Sequence, residues 1–239
     1  MARRLFFVPE IRSGRAELRG EEAKHLTRVL RVEAGQLYEL SDGQAHYLAQ
    51  VELADRDQVT FRVQEELPVS PEPYEVTLAI ALVKFDRLEW ILEKATELGA
   101  THIRPFWSDR CEPGLEKAAA KRLDRWRKIL VESCQQSRRI VPPAIYEPVS
   151  LASVLSMPAE RKYFFDERRE DGEFAPEAAA SSLLLIGPEG GWTERERALA
   201  VSCTRASLGP RVLRAETAAI AALAILGHRL RRTPGSPAS

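Results

Sequence analysis

Cysteine is scarce in this 239-residue sequence: Cys111, Cys134 and Cys203 are odd in number, far apart, and outside any CxxC or Cys/His pattern. That excludes a disulfide scaffold and a zinc framework, and a reducing compartment is expected. Long apolar runs are absent as well. The longest, residues 218–227, is about half of the ~20 residues a membrane-spanning helix needs, so no span is expected. The opening MARRLFFVPEI breaks its apolar run at Pro9 and Glu10 and has no secretory h-region, so the mature protein is expected to begin here and remain cytoplasmic. No GxGxxG follows a strand-like run, and neither GxxxxGK[ST] nor GxSxG occurs. Nicotinamide, ATP and serine-hydrolase chemistry lose ground accordingly. Excess charge of one sign is also lacking. The 35 Lys/Arg offset 35 Asp/Glu, so a nucleic-acid partner would have to be met by a local basic patch.

What is present is an ordinary globular balance, 44% hydrophobic and 29% charged, in a chain long enough for one or two domains. Short strand-like runs fill the first part: residues 5–8, 37–40, 47–53 and 59–63, with a Ser41-Asp42-Gly43 turn. A helix over residues 21–30 places Ala23, Leu26, Val29 and Leu30 on one face, led by acidic residues that suit its dipole. A small β-barrel or sandwich over residues 1–70 is the expectation. Three prolines within residues 68–73 block regular ladders and set the domain boundary there.

A second domain is expected over residues 74–232, with a frayed tail at 233–239. Residues 76–83 form a nearly continuous apolar run, followed by Leu88, Ile91, Leu92, Ala95 and Leu98 at helical spacing, and then by a strand at 103–107. A basic helix at 115–137, strands at 163–165 and 183–186, a helix N-capped by Thr193 with Glu196 three residues on, and a last helix at 215–228 continue the alternation. Strand, helix, strand alternation predicts a parallel α/β sheet covered on both faces.

The strand ending at Ile186 runs into Gly187-Pro188-Glu189-Gly190-Gly191 and then a helix. In open parallel sheets ligands bind beyond the carboxyl ends of strands, where glycines let a ligand approach the backbone. A tight turn that merely needs positive φ is the equal alternative. A second dense segment, residues 207–217, carries Arg211 and Arg214 into the start of the last helix. Helix N-termini prefer anions, so arginines there point to an anionic ligand, against a capped helix start with solvated charges as the alternative. His25, His46, His102 and His228 each stand alone and are read as structural.

LLLIGPEGGWT followed by LGPRVLRAETAAIAAL resembles the two C-terminal motifs of the RsmE family, the 16S ribosomal RNA uridine-N3 methyltransferases of the SPOUT class. LEKATELGATHIRPFWSDRC and VESCQQSRRIVPP resemble that family's upstream pattern, and the N-terminal part resembles its PUA-like barrel, so the resemblance spans nearly the whole chain. It implies an α/β fold: a C-terminal SPOUT-type parallel domain with a trefoil knot and a small N-terminal PUA-like β-barrel. It also implies a homodimer, S-adenosylmethionine as cofactor, and 16S rRNA of the small subunit as partner. One departure stands out. The family commonly has Gln-Ser-Gly-Arg where this chain has Gln136-Ser137-Arg138-Arg139, which leaves open which arginine matches the family's.

On that reading the cofactor-binding candidates are Ile186, Gly187, Glu189, Gly190, Gly191, Leu208, Gly209, Val212 and Leu213. A sulfonium methyl donor asks the protein mainly for alignment and charge management, and no metal is expected. A uridine N3 is an imide whose proton must leave, so the site needs a base and donors for charge spreading onto two carbonyl oxygens. Glu189 and Glu216 are the candidate bases, and Arg211 and Arg214 the candidate stabilisers. Glu216 as a helix cap and the arginines as partners of carboxylates remain alternatives. Residues 104–139 hold ten basic against five acidic side chains, so Arg110, Lys121, Arg125, Arg138 and Arg139, with Arg3 and Arg4, are the RNA-binding candidates. The competing classes are a noncatalytic RNA-binding or ribosome-assembly protein and a SPOUT methyltransferase acting on another RNA position.

Overall fold

The computed structural model describes residues 3–69, 72, 74–168 and 172–231. The expected tail at 233–239 and part of the proline-rich boundary lie outside those residues. By their contacts the chain forms two compact units, Met1–Pro71 with Cys134–Pro142, and Glu72–Ser133 with Pro143–Ser239.

The first unit holds β1 (Leu5–Phe7), β2 (Arg15–Arg19), the short helix α1 (Glu21–Lys24), β3 (Leu37–Ser41), β4 (His46–Ala54) and β5 (Gln58–Leu67). The strand order is β1-β3-β4-β5-β2, with β1 parallel to β3 and the other pairs antiparallel. The sheet curls so that Phe6 of β1, Ala16 and Leu18 of β2, and Phe61 of β5 enter one core, although no ladder joins β1 to β2 among the described residues. The expected helix over 21–30 departs from α geometry at His25–Val29, where a π-turn closes with Leu30 N–H on the His25 carbonyl. A π-turn inserts a residue and rotates the rest of the helix, so Ala23 and Leu26 are buried while Val29 turns out to 64% exposure.

Segment 134–142 belongs to this unit. Ser41 Oγ donates to the Ile140 carbonyl at 2.7 Å, and Arg138 donates to the Arg3 carbonyl at 2.5 Å and to Glu39 at 2.7 Å. Arg138 has φ +62°, the left-handed conformation that favours glycine.

The second unit runs β6 (Glu75–Ala81), α2 (Phe85–Glu97), β7 (His102–Trp107), α3 (Leu115–Ala120), α4 (Leu123–Ser137), β8 (Ala144–Ile145), β9 (Val149–Ser150), α5 (Leu151–Leu155), β10 (Arg161–Phe165), β11 (Ser181–Ile186), α6 (Glu194–Leu199), β12 (Thr204–Ala206) and α7 (Ala215–Arg231). Its seven strands are all parallel, in the order β12-β10-β11-β6-β7-β8, with β9 also on β7. Alternate residues of the apolar strands face opposite ways. Leu184 and Ile186 enter the core under α2, α4 and α7, while Leu183 and Leu185 enter the core that includes Leu151 and Val154 of α5 and Ala200 just beyond α6. That double burial is why these strands read as continuous apolar runs rather than as alternation. The basic helix expected as one piece is two, because the chain tightens where Arg122 N–H bonds the Ala119 carbonyl three residues back. Among the described residues no helix is long and apolar enough to cross a membrane.

Candidate cofactor and active site

Three loops leave the carboxyl ends of β10, β11 and β12 and frame one cavity of about 580 Å³, a size that suits a cofactor. Ligand crevices of open parallel sheets lie at these strand ends. The loop after β11 lines it with Gly187 to Trp192, and the loop after β12 with Ser207 to Leu208 and Arg211 to Ala215. Every cofactor-binding candidate borders this space: Ile186, Gly187, Glu189, Gly190, Gly191, Leu208, Gly209, Val212 and Leu213.

Protein neighbours bear on these glycines beside the two expected reasons, approach of a ligand and a tight turn. A Cβ on Gly187 would sit 2.7 Å from the indole of Trp192, one on Gly190 3.1 Å from Cβ of Arg110, and one on Gly191 2.7 Å from Oε1 of Glu167. Packing against the buried indole demands glycine at 187, whereas the neighbours of Gly190 and Gly191 are side chains with room to shift; Gly191 also has φ +70°. Trp192 is the anchor. It is fully buried between Phe106 and Phe164, at ring separations of 6.0 and 4.3 Å, and its Nε1 donates to the Phe165 carbonyl at 2.8 Å.

The expected capping box closes the loop on α6. Glu196 N–H donates to Thr193 Oγ1, and Thr193 N–H donates to Glu196 Oε2 at 2.8 Å. Buried Glu196 also accepts from Asp109 N–H at 2.9 Å, and Asp109 in turn accepts from Thr193 Oγ1 and pairs with Arg195. Arg110, a candidate RNA contact, donates to the Gly190 carbonyl at 2.6 Å. Residues 109–110 thus brace the glycine loop from outside.

Sequence reasoning missed three contributors. Asp166 and Glu167, directly after β10, line the cavity, and so does Arg87 of α2. The rule about strand ends applies to β10 as much as to β11, and it was the available signal for the first two; Arg87, near the start of α2, carried none. Asp166 is buried and receives Arg197 through two bonds of 2.6 and 2.9 Å. Burial pushes its carboxyl up, but the Arg197 guanidinium outweighs this and holds it below the usual carboxylate range. The same bond raises Arg197 further.

The catalytic candidates separate. Arg211, Arg214 and Glu189 line the cavity. Glu189 is ion-paired with Arg87, whereas neither arginine of the second loop makes an ion pair among the described residues. Glu216 does not line the cavity: it sits in the first turn of α7 with a buried Oε2 that has no hydrogen-bond partner among the described residues.

The basic run is partly spent on itself. Glu89 takes Arg125 through two 2.7 Å bonds and Arg122 through a third, which together hold its carboxyl below the usual range, and Arg127 pairs with Asp124. Lys121, Arg3 and Arg4 are exposed and Arg139 is half-buried. In the first unit, Arg3 and Arg138 are brought together by the bond between them.

A doubly covered parallel sheet with a cofactor-sized cavity at its carboxyl ends, in a chain whose other unit is a curled sheet, fits the class of cofactor-dependent open α/β enzymes. An RNA methyltransferase domain model matches residues 70–227, and an RNA methyltransferase PUA domain model matches residues 18–64. The ribosomal RNA small subunit methyltransferase E of Bacillus subtilis is 34% identical, with 88% of each chain covered, and that of Synechocystis 34% identical over 94% of this chain and 77% of its own. A methyltransferase from Legionella pneumophila, solved with bound SAM, superposes with a TM-score of 0.87 at 32% identity, covering 95% of this chain and 98% of its own. Ribosomal RNA small subunit methyltransferase E of Neisseria gonorrhoeae, solved with S-adenosylmethionine, gives a TM-score of 0.83 at 31% identity over 93% and 95%. The chain belongs to the family of ribosomal RNA small subunit methyltransferase E.

Proposed function

We propose that this protein transfers a methyl group from S-adenosylmethionine to N3 of a uridine in 16S rRNA of the small ribosomal subunit. The observation that carries the reading is the cavity in which the two family motifs meet. Its residues fit the cofactor chemically. Phe165, Ile186, Leu208, Leu213 and Ala218 supply an apolar wall for a purine, and charged groups of both signs line the remainder. When bound, the cofactor supplies an already activated methyl group.

The rest of the chemistry falls to the chain. Arg211 and Arg214 present fixed forks of donors toward the carbonyl oxygens on which the imide's negative charge develops. Glu189 accepts the N3 proton once it is released from Arg87, while Glu216 acts through the start of α7. We further propose the trefoil knot, a cytoplasmic location, and a homodimer to which α7 contributes through Ile225, 38% exposed on that helix. Light scattering that gives the mass of one chain overturns the dimer.

Arg3 and Arg4 on the curled sheet, with Lys121, Arg125, Arg138 and Arg139, hold rRNA phosphates, and Arg110 acts there through the glycine loop. Replacing the operative arginine, Arg211 or Arg214, by lysine lowers the single-turnover methylation rate ~10²-fold while cofactor affinity changes little. Wild-type rates in both variants overturn the assignment. Calorimetric titration with S-adenosylmethionine separates the enzyme from a noncatalytic RNA-binding protein, which would show no saturable site.

A further inference from the structure

Two of the four tryptophans, Trp126 and Trp192, are fully buried, whereas Trp90 is 44% exposed on α2 and Trp107 is 41% exposed at the end of β7. A single exposed indole needs no explanation in itself, so its position has to carry the argument. Ile186, Ile80 and Pro105 pair straight across β11, β6 and β7, and Leu82 N–H extends the ladder by bonding the Phe106 carbonyl at 2.8 Å. Trp107 therefore stands two residues beyond the row from which the glycine loop departs, and two strand spacings, about 10 Å, to its side. Alternation puts it on the face of Ile80 and Ile103, the same face from which Ile186 borders the cavity. Three residues on, Arg110 reaches the Gly190 carbonyl, so the segment that starts at Trp107 runs to the cavity rim.

The charge beside this indole suits a polyanion. Asp109 is already engaged by Arg195 and Thr193. Lys84, which follows β6 two residues after Leu82, is exposed and has no ion pair among the described residues. Its place as the N-cap of α2 is one that the helix dipole makes unfavourable for a cation, so an anion there is favoured. Trp90, by contrast, lies one helical turn from Asp86 and from Glu93.

We propose that Trp107 is a stacking platform for a base of single-stranded RNA beside the target nucleotide, with Lys84 meeting a phosphate of the same strand. This rests on the proposed function and deepens it. N3 of uridine lies on the pairing edge, so the methylated nucleotide must be unpaired, and the bases next to it lose stacking partners. An indole face replaces such a partner whatever the base, and an aromatic ring beside a cation is how proteins hold single strands.

Oligouridine is the probe, and quenching of indole emission follows its binding. Wild type binds with quenching; Trp107→Phe, which keeps a ring, binds nearly as well but with less quenching. Trp107→Ala weakens binding about 5- to 150-fold, the worth of one stacked base. Lys84→Gln lowers the slope of log affinity against log salt by about 0.7, the share of one phosphate on a single strand. Trp90→Ala binds as wild type does. S-adenosylhomocysteine affinity, thermal melts and the mass by light scattering stay unchanged in every variant. Unchanged affinity in Trp107→Ala, an equal loss in Trp107→Phe or in Trp90→Ala, or a changed mass, which makes Trp107 a contact between copies, overturns the assignment. So does a wild type that binds no oligouridine. If wild type binds oligouridine through Trp107 yet methylates no uridine of 16S rRNA, the proposed reaction fails while the RNA surface stands.

Discussion

Gly187→Ala separates the two explanations for the glycine loop. The added methyl would lie 2.7 Å from Cε2, 2.8 Å from Nε1 and 3.0 Å from Cζ2 of Trp192. That indole cannot step aside, because Phe106 and Phe164 flank it and Nε1 is bonded to the Phe165 carbonyl. Gly187 does not have positive φ, so backbone strain adds nothing and the effect is overpacking alone. Overpacking in a full core costs about 1–3 kcal/mol, and for a chain of this size each kcal/mol moves Tm by about 2–4 °C. A drop of about 2–12 °C is therefore expected. Trp192→Phe removes the clashing atoms, so alanine at 187 costs less in that background than in wild type, with a coupling of about 0.5–3 kcal/mol. Urea unfolding of the four proteins in the cycle, with S-adenosylhomocysteine titration of each, makes the measurement. If Gly187→Ala keeps wild-type stability but loses the ligand, the glycine serves the ligand and the packing argument is wrong.

Charges fixed by the fold lead to two further outcomes. Asp166 has a folded pKa below its unfolded value, so the stability it contributes is fully present above about pH 4 and is lost as pH falls through the depressed value. Asp166→Asn removes that acid limb from urea-unfolding curves and destabilises the protein at neutral pH, by less than the ~3–5 kcal/mol of a fully stranded buried charge because Arg197 keeps Glu194, Glu167 and the Trp192 carbonyl; an unchanged limb refutes the role of the pair. Arg3→Ala with Arg4→Ala weakens rRNA binding and flattens its dependence on log salt by about one unit for each phosphate no longer neutralised, with cofactor affinity unchanged; an unaltered salt slope removes the curled sheet from phosphate binding. These point variants are preferable to deleting residues 1–70, because segment 134–142 packs within the same unit and would be stripped of its partners.

Much of the second unit was legible because its signals are local. The apolar runs, the helical spacing after Leu88 and the pairing of Thr193 with Glu196 each report on neighbours a few residues away, and each formed as expected. The failures come where distant partners decide. The five residues of β2 are a charged alternation in which only Ala16 and Leu18 are apolar, and pairing with β5 makes them a strand. The two-residue strands β8 and β9 exist through pairing with β7. Counting charge between residues 104 and 139 gave a surplus, but Glu89, thirty-six residues from Arg125, lies outside that window and answers two of its arginines.

The same principle explains which part of the site the motifs could reveal. A glycine in a loop signals that something stands close, but not whether it is ligand or protein. Here it is the indole of Trp192, the stem of Arg110 and the carboxylate of Glu167 that stand close, so the loop is shaped before any ligand arrives. Preorganisation of this kind favours methyl transfer, which gains chiefly from alignment. It also sharpens the roles of the arginines. Arg87, Arg110, Arg125, Arg138 and Arg197 are all engaged with carboxylates or carbonyls of the chain itself. Arg211 and Arg214 border the cavity without an ion pair among the described residues. On the proposed function these two, unpaired among the described residues while so many other arginines are paired, are the donors that would meet the charge of a substrate anion.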